Sequence, residues 1–249
     1  MTAADAIVIF VAGLAAGTIN TVVGSGSLIT FPTLLALGYP PVLANVSNNV
    51  GLVPGALSGV YGYRRELVGQ RPRLLRLVPA SLLGSLTGAV LLLVLPGAVF
   101  RRVVVVLIVV ALALVVLQPR LARRLAIPHA DGSHRLRPAL LALVCGAGIY
   151  GGYFGAAQGI ILIALLGIFV DDDLQRLNAC KNVLAMSVNL MASAVFVLST
   201  DVDWKVAGTI AAGSTVGGQI GATVGRRLDR RVLRGVIVAV GITALARLL

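Results

Sequence analysis

The 249 residues are 58% hydrophobic and only 12% charged, with a mean hydropathy of +0.97, where a soluble domain carries about 25% charge. Apolar runs of about 18 or more residues recur from end to end with the charges in the gaps, and the strict two-residue alternation of a membrane barrel is absent, which leaves an all-α polytopic membrane protein. The net charge of +12 does not point to nucleic acid, because the arginines flank apolar spans and no stretch interleaves basic and aromatic residues as a base-stacking surface does.

In chain order, residues 6–23 form a first apolar arm in which Gly13 and Gly17 stand four apart, a spacing that admits a second helix at close range. Gly24-Ser25-Gly26-Ser27 interrupts it. Residues 28–37 form a second arm too short to span about 30 Å at 1.5 Å per residue, ended by Tyr39-Pro40-Pro41. The span at 42–61 opens with Asn45, Ser47, Asn48 and Asn49. A basic loop (Arg64, Arg65, Arg71, Arg73) leads to a span at 74–95 rich in small residues (Ser81, Gly84, Ser85, Gly88), and Arg101 and Arg102 begin another that runs to Leu117. Residues 118–137, with five arginines, His129, His134, Pro119 and Pro128, read as a linker. A second pair of arms at 138–153 and 160–170 follows, broken around Gly151-Gly152 and residues 155–159. Asp171-Asp172-Asp173 then stands where Tyr-Pro-Pro stood before. The remaining spans are 174–198, carrying Asn178, Lys181, Asn182 and Asn189, then 206–224 and 232–246. The N-terminus lacks the basic flank of a cleavable signal peptide.

The chain is duplicated. At an offset of 133, Gly13 maps to Gly146, Gly26 to Gly159, Asn45 to Asn178 and Asn49 to Asn182; later the offset is 129, with Gly84-Ser85 on Gly213-Ser214 and Gly88 on Gly217. This divides the chain into a first repeat at 1–117, a basic cytoplasmic linker at 118–137 and a second repeat at 138–249.

An odd number of crossings per repeat inverts the second half, and an even number does not. If each broken element is a hairpin that enters and leaves on one face, 17 basic residues share one side and 4 the other; if each is a single crossing, the split is 12 to 9. The positive-inside rule favours the first. The expected fold is two inverted repeats, each a re-entrant broken helix pair plus three transmembrane helices, with both termini outside and the basic loops on the cytoplasmic side of a cell inner membrane.

A helix broken inside a membrane frees backbone groups that only protein or a wet cavity can satisfy. Glycine allows the turn, successive N–H groups can cradle an anion, and the arm that starts at the break points its positive end there. Two such breaks meeting near the midplane would make an anion site. The candidate ligands are Asn20, Ser25, Gly26, Ser27, Asn45, Asn48 and Asn49 in the first half, and Tyr153, Gln158, Gly159, Asn178, Lys181 and Asn182 in the second. Lys181 is the sharpest, since an ionisable group within a span defaults to function and its sign fits an anion. Plainer readings stand beside these: helix packing for the glycines, interhelical glue for the asparagines, a reach to the interface for Lys181. Cys145 and Cys180 read as buried small hydrophobes. No GKS/T follows Gly24-Ser25-Gly26, and no paired carboxylates, zinc spacing or triad is visible, so no enzyme, cofactor or metal centre is expected.

Through Gly24-Ser25-Gly26-Ser27, Pro32-Thr33-Leu34, Gly38-Tyr39-Pro40-Pro41 and Ala44-Asn45, the chain resembles the sulfite exporter TauE/SafE family. Members share a glycine-rich break, a proline-containing arm, a G-x-P turn and a small-residue helix start, repeated later in degenerate form. The resemblance covers essentially the whole chain; Ser25 and Ser27 stand where members often have further glycines, and Asp171 to Asp173 displaces the second turn. It implies a secondary carrier of small anions, typically sulfur oxyanions or organosulfonates. An anion channel and a non-transporting membrane scaffold stay open beside it. The coupling ion, for which a proton is the candidate considered, and the oligomeric state are left undecided by the residues.

Overall fold

The computed structural model describes residues 1–125 and 138–224, with Gly235, Val238 and Ala239; residues 126–137 of the linker read at 118–137, and most of the span at 232–246, lie outside the described residues. The described residues are all-helical: α1 (Ala3–Val22), α2 (Ser27–Ala36), α3 (Pro41–Gly62), α4 (Arg71–Val94), α5 (Gly97–Leu125), α6 (Pro138–Tyr153), α7 (Gln158–Phe169), α8 (Leu174–Ser199) and α9 (Trp204–Thr223). Among them α1, α4 and α8 are long and apolar enough to cross a membrane, and α3 and α9, at 22 and 20 residues, match them in length.

Helix starts follow local chemistry. Thr2 and Asp5 form a reciprocal capping box on α1, with bonds of 3.1 and 2.7 Å. Pro40 and Pro41 open α3, where a missing N–H costs nothing. At the equivalent start of α8, Asp173 accepts from the Gln175 N–H at 2.8 Å, so the acidic run replaces the proline turn with a side-chain cap. Asp203 caps α9 in the same way.

Two boundaries differ from the sequence reading. Helix α5 continues beyond Leu117 to Leu125. Helix α6 runs through Gly151 and Gly152 to Tyr153, and the break comes at residues 154–157. Those two glycines serve contact instead: a methyl on Gly152 would lie 2.2 Å from the Ser85 carbonyl oxygen, and one on Gly151 would meet the Gln158 side chain.

Contacts set the helix directions. Gly13 and Gly17 of α1 pack on Ile210 and Ser214 of α9, as do Gly51 and Gly55 of α3. Rising numbers meet rising numbers, so α1, α3 and α9 run one way. Gly148 and Gly152 of α6 pack on Ser81 and Ser85 of α4, and Arg73 and Ser85 of α4 meet Asp172 and Val188 at the start and middle of α8, so α4, α6 and α8 run together. Helices α3 and α8 are antiparallel, with Tyr63 bonded to Gln175 at one end and Ser193 to Asn49 toward the other.

The end that holds Tyr63 and Gln175 carries Arg64, Arg65, Arg71, Arg73, Arg76 and Arg176 among the described residues. Asp172 bridges Arg73 of α4 and Arg176 of α8, each at 2.8 Å, while Gln70 donates to the Arg176 carbonyl and Arg176 to that of Val68. The loops around 64–73 and 171–176 therefore lie at one end of the molecule. Burial pushes the Asp172 carboxyl up, but hydrogen bonds from Arg73, the Asp173 N–H and Arg176 outweigh it and hold its pKa below the usual carboxylate value.

Candidate functional site

The two breaks touch. Val22 ends α1, Gly24 takes a left-handed φ of +89°, and α2 turns back so that Gly26 lies against Ala16 and Asn20. Tyr153 ends α6, and Gly155 and Ala157 adopt φ of +76° and +60° before α7 turns back. The Gly159 N–H donates to the Gly24 carbonyl at 3.0 Å. A methyl on either glycine would lie 2.4 Å from the other's Cα, so only glycine permits the two backbones to meet.

Beside this contact is a cavity of about 30 Å³, room for one or two waters. From the first break it is lined by Asn20, Thr21, Gly24 and Ser27, and from the second by Gly155, Gln158 and Gly159; Ala56 of α3 and Asn182, Ala185 and Asn189 of α8 close it. Five of the residues singled out from the sequence thus border one space: Asn20, Ser27, Gln158, Gly159 and Asn182. Three buried polar atoms at the breaks, Ser25 Oγ, Tyr153 Oη and Gln158 Nε2, have no hydrogen-bond partner. Buried polar groups are rarely left so, and of these three residues Gln158 lines the cavity.

The other candidates hold the breaks in shape. The Gly26 N–H donates to Asn20 Oδ1 at 2.8 Å, so this N–H and that of Gly159, both expected to face a ligand, are engaged within the protein. Lys181 is fully buried, and its Nζ donates to the carbonyls of Asn20 and Thr21 at 3.1 and 3.4 Å. Asn178 and Asn182 donate to the same Thr21 carbonyl at 3.2 and 3.3 Å. These carbonyls are in the last turn of α1, where no intrahelical donor remains, and a cation there complements the negative end of the helix dipole. Asn45 does the equivalent for α6, donating to the Tyr153 carbonyl at 3.1 Å. Asn48 accepts from Thr30, and Asn49 from Ser193 at 2.8 Å. Asn189 and Thr21 border the cavity without having been selected from the sequence. Asn189 lies seven residues after Asn182 on one helix, a two-turn spacing that extends a single face and was the signal available for it.

Among the described residues no group of three or more His, Cys, Asp or Glu side chains could hold a metal. Cys145 and Cys180 are free thiols, the latter buried.

The family model described as "Sulfite exporter TauE/SafE" matches residues 9–248. The chain is 30% identical over 210 residues to a "Probable membrane transporter protein" of Haemophilus influenzae, covering 83% of this chain and 80% of that one. It is 26% identical over 209 residues to the "Probable membrane transporter protein YfcA" of Escherichia coli K12, covering 83% and 75%, and 27% identical over 207 residues to the "Probable membrane transporter protein ORF9" of a Sinorhizobium species, covering 82% and 77%. No solved structure matches it.

Proposed function

The chain belongs to the sulfite exporter TauE/SafE family, and from that premise we propose that it is a secondary transporter of small anions working by alternating access where its two helix breaks meet. The observation that carries the reading is the cavity at the Gly24–Gly159 contact, into which the two breaks and α8 turn Asn20, Ser27, Gln158, Asn182 and Asn189. Gln158 Nε2 there is a buried donor with no acceptor, the complement an oxyanion supplies. Asn45, Asn178 and Lys181 support the site by holding the helix ends, Asn48 and Asn49 by tying α3 to α2 and α8 through Thr30 and Ser193, and the buried Ser25 and Tyr153 hydroxyls stand ready behind it. The substrate class is sulfur oxyanions or organosulfonates of the sulfite, thiosulfate or sulfoacetate type.

The inverted arrangement of repeats 1–117 and 138–249 is part of this reading. Three pairs related by the duplication, α1 and α6, α3 and α8, α4 and α9, run in opposite directions, and Asp172 joins basic loops that the single-crossing alternative would put on opposite sides. We take the basic end as cytoplasmic in the inner membrane by the positive-inside rule.

Flux of sulfite, thiosulfate and sulfoacetate into proteoliposomes tests the reading. Saturable flux is expected, and Gln158→Leu should cut it about tenfold by leaving the anion one donor short. Absence of saturable flux for any small anion would defeat the assignment.

A further inference from the structure

We propose that the moving bodies are not the two sequence halves but two exchanged bundles, α1–α3–α9 and α4–α6–α8, and that the hold of Asn178, Lys181 and Asn182 on the end of α1 is the gate between the cavity and the basic end. The inference rests on the transport reading above and names the parts that such transport would move.

The evidence is the way the helices are joined. Helix α1 meets α9, α3 meets α9 and α4 meets α6 backbone to backbone through glycine, while α8 is tied to α4 at two levels, by the Arg73–Asp172 ion pair and by Ser85 Oγ on the Val188 carbonyl. Methyl groups on Gly17 and Gly217 would lie 2.3 and 2.0 Å from carbonyl oxygens of α9 and α1, and on Gly84 and Gly88 2.1 and 2.0 Å from carbonyl oxygens of α6. Such faces interlock at fixed register and do not slide. Each bundle takes two long helices from one repeat and one from the other, so neither repeat is a rigid unit. Between the bundles the long contact is α3 on α8, and its bonds are made by side chains: Ser193 to Asn49 and Tyr63 to Gln175. Side-chain bonds can part and re-form without unpacking a helix.

The order of residues along antiparallel helices locates the gate. Helix α8 starts at the basic end, meets the α1 terminus at Asn178, Lys181 and Asn182, and borders the cavity from Asn182 to Asn189. The three side chains thus stand between the basic end and the cavity, and they join one bundle to the other. Helix α3 starts at the opposite end, and its Asn45 holds the α6 terminus there. Lys181 is accordingly a positioning residue: it acts on α1, and through it on the cavity wall at Asn20 and Thr21.

Two measurements test this, in protein whose Cys145 and Cys180 are replaced by Ala. First, Tyr63→Cys/Gln175→Cys joins the bundles and Ser58→Cys/Thr215→Cys lies within one, where Ser58 Oγ donates to the Thr215 carbonyl. Linking by a short bifunctional methanethiosulfonate should cut sulfite flux about tenfold in the first pair, reversibly on reduction, and change it less than about twofold in the second. Equal effects on both pairs would overturn the assignment of moving bodies. Second, Ala185→Cys reports entry to the cavity by an impermeant methanethiosulfonate added from one side. Lys181→Ala should raise labelling from the basic side about tenfold and not from the other, and Lys181→Arg should restore the slow rate. Asn178→Ala should act in the same direction, which keeps the test sound if Lys181→Ala does not fold. An unchanged rate, or an equal rise from both sides, would overturn the gate. Labelling needs no substrate, so a protein without anion flux would count against the transport reading while the gate is still decided.

Discussion

The two helix breaks follow the same backbone path, and they are finished differently. Gly24 and Ala157 are 133 positions apart and both take a left-handed backbone, at φ +89° and +60°. At the first break the end of α1 is held by an ammonium and two amides from α8. At the second, a single amide from Asn45 holds the end of α6, and aromatic rings wall the turn: Phe154 lies 5.2 Å from Phe31 and 6.5 Å from Phe100, and Tyr153 5.7 Å from Phe100. The backbone path is shared while the side chains differ: an ammonium and two amides hold the first tip, and at the second Asn45 is joined by aromatic rings and by the Tyr150 hydroxyl, which donates to the Ala156 carbonyl. Exposed carbonyls at a helix end inside a membrane need donors or exclusion from lipid, and the two tips meet that need by different means.

The sharpest way to break the comparison is at the left-handed residues themselves. Gly24→Ala should cost about 3 kcal/mol or more, since it adds left-handed strain to a clash with Gly159. Ala157→Gly, at the equivalent position, should change stability in the opposite sense. Thermal unfolding of the detergent-purified protein reads both, and a destabilised Ala157→Gly would mean that the second tip does not strain its backbone.

Next come the clamps. Lys181→Ala should lose about 2–3 kcal/mol, as a charged donor removed from buried carbonyls, and Asn45→Ala about 1 kcal/mol, as a neutral one. Equal losses in the same assay would erase the asymmetry between the tips.

The helix seams should by contrast behave alike. Gly88→Ala and Gly217→Ala each place a methyl 2.0 Å from a carbonyl oxygen, at equivalent positions of α4 and α9. Each should cost about 1–3 kcal/mol, and a large difference between them would show that the two bundles are not packed equivalently.

The smallest effect is expected in acid. The folded-state pKa of Asp172 lies below the ordinary carboxylate value, so its bridge stabilises the protein above that value and is lost as pH falls through the folded pKa. Asp172→Asn should flatten the melting curve's dependence on pH below about pH 4 without altering its shape near neutrality.

Much of this was legible in the sequence. Apolar run length, the sparseness of charge and the Arg-flanked gaps require a helical membrane protein, because hydropathy is a property of each segment alone. The Gly24–Ser27 interruption and its recurrence around Gly155 to Gly159 mark the breaks, because backbone freedom at glycine is local too. What the linear order does not contain is which helix packs on which. That α1 pairs with α9 across almost two hundred residues, and α6 with α4, depends on glycine faces fitting backbone carbonyls of a distant helix. The same tertiary fit decided that Lys181 turns onto the end of α1 while Gln158 and Asn189 border the cavity: a polar residue's type is written in the chain, but its partner is whichever carbonyl or space the packed neighbours bring within about 3 Å of it.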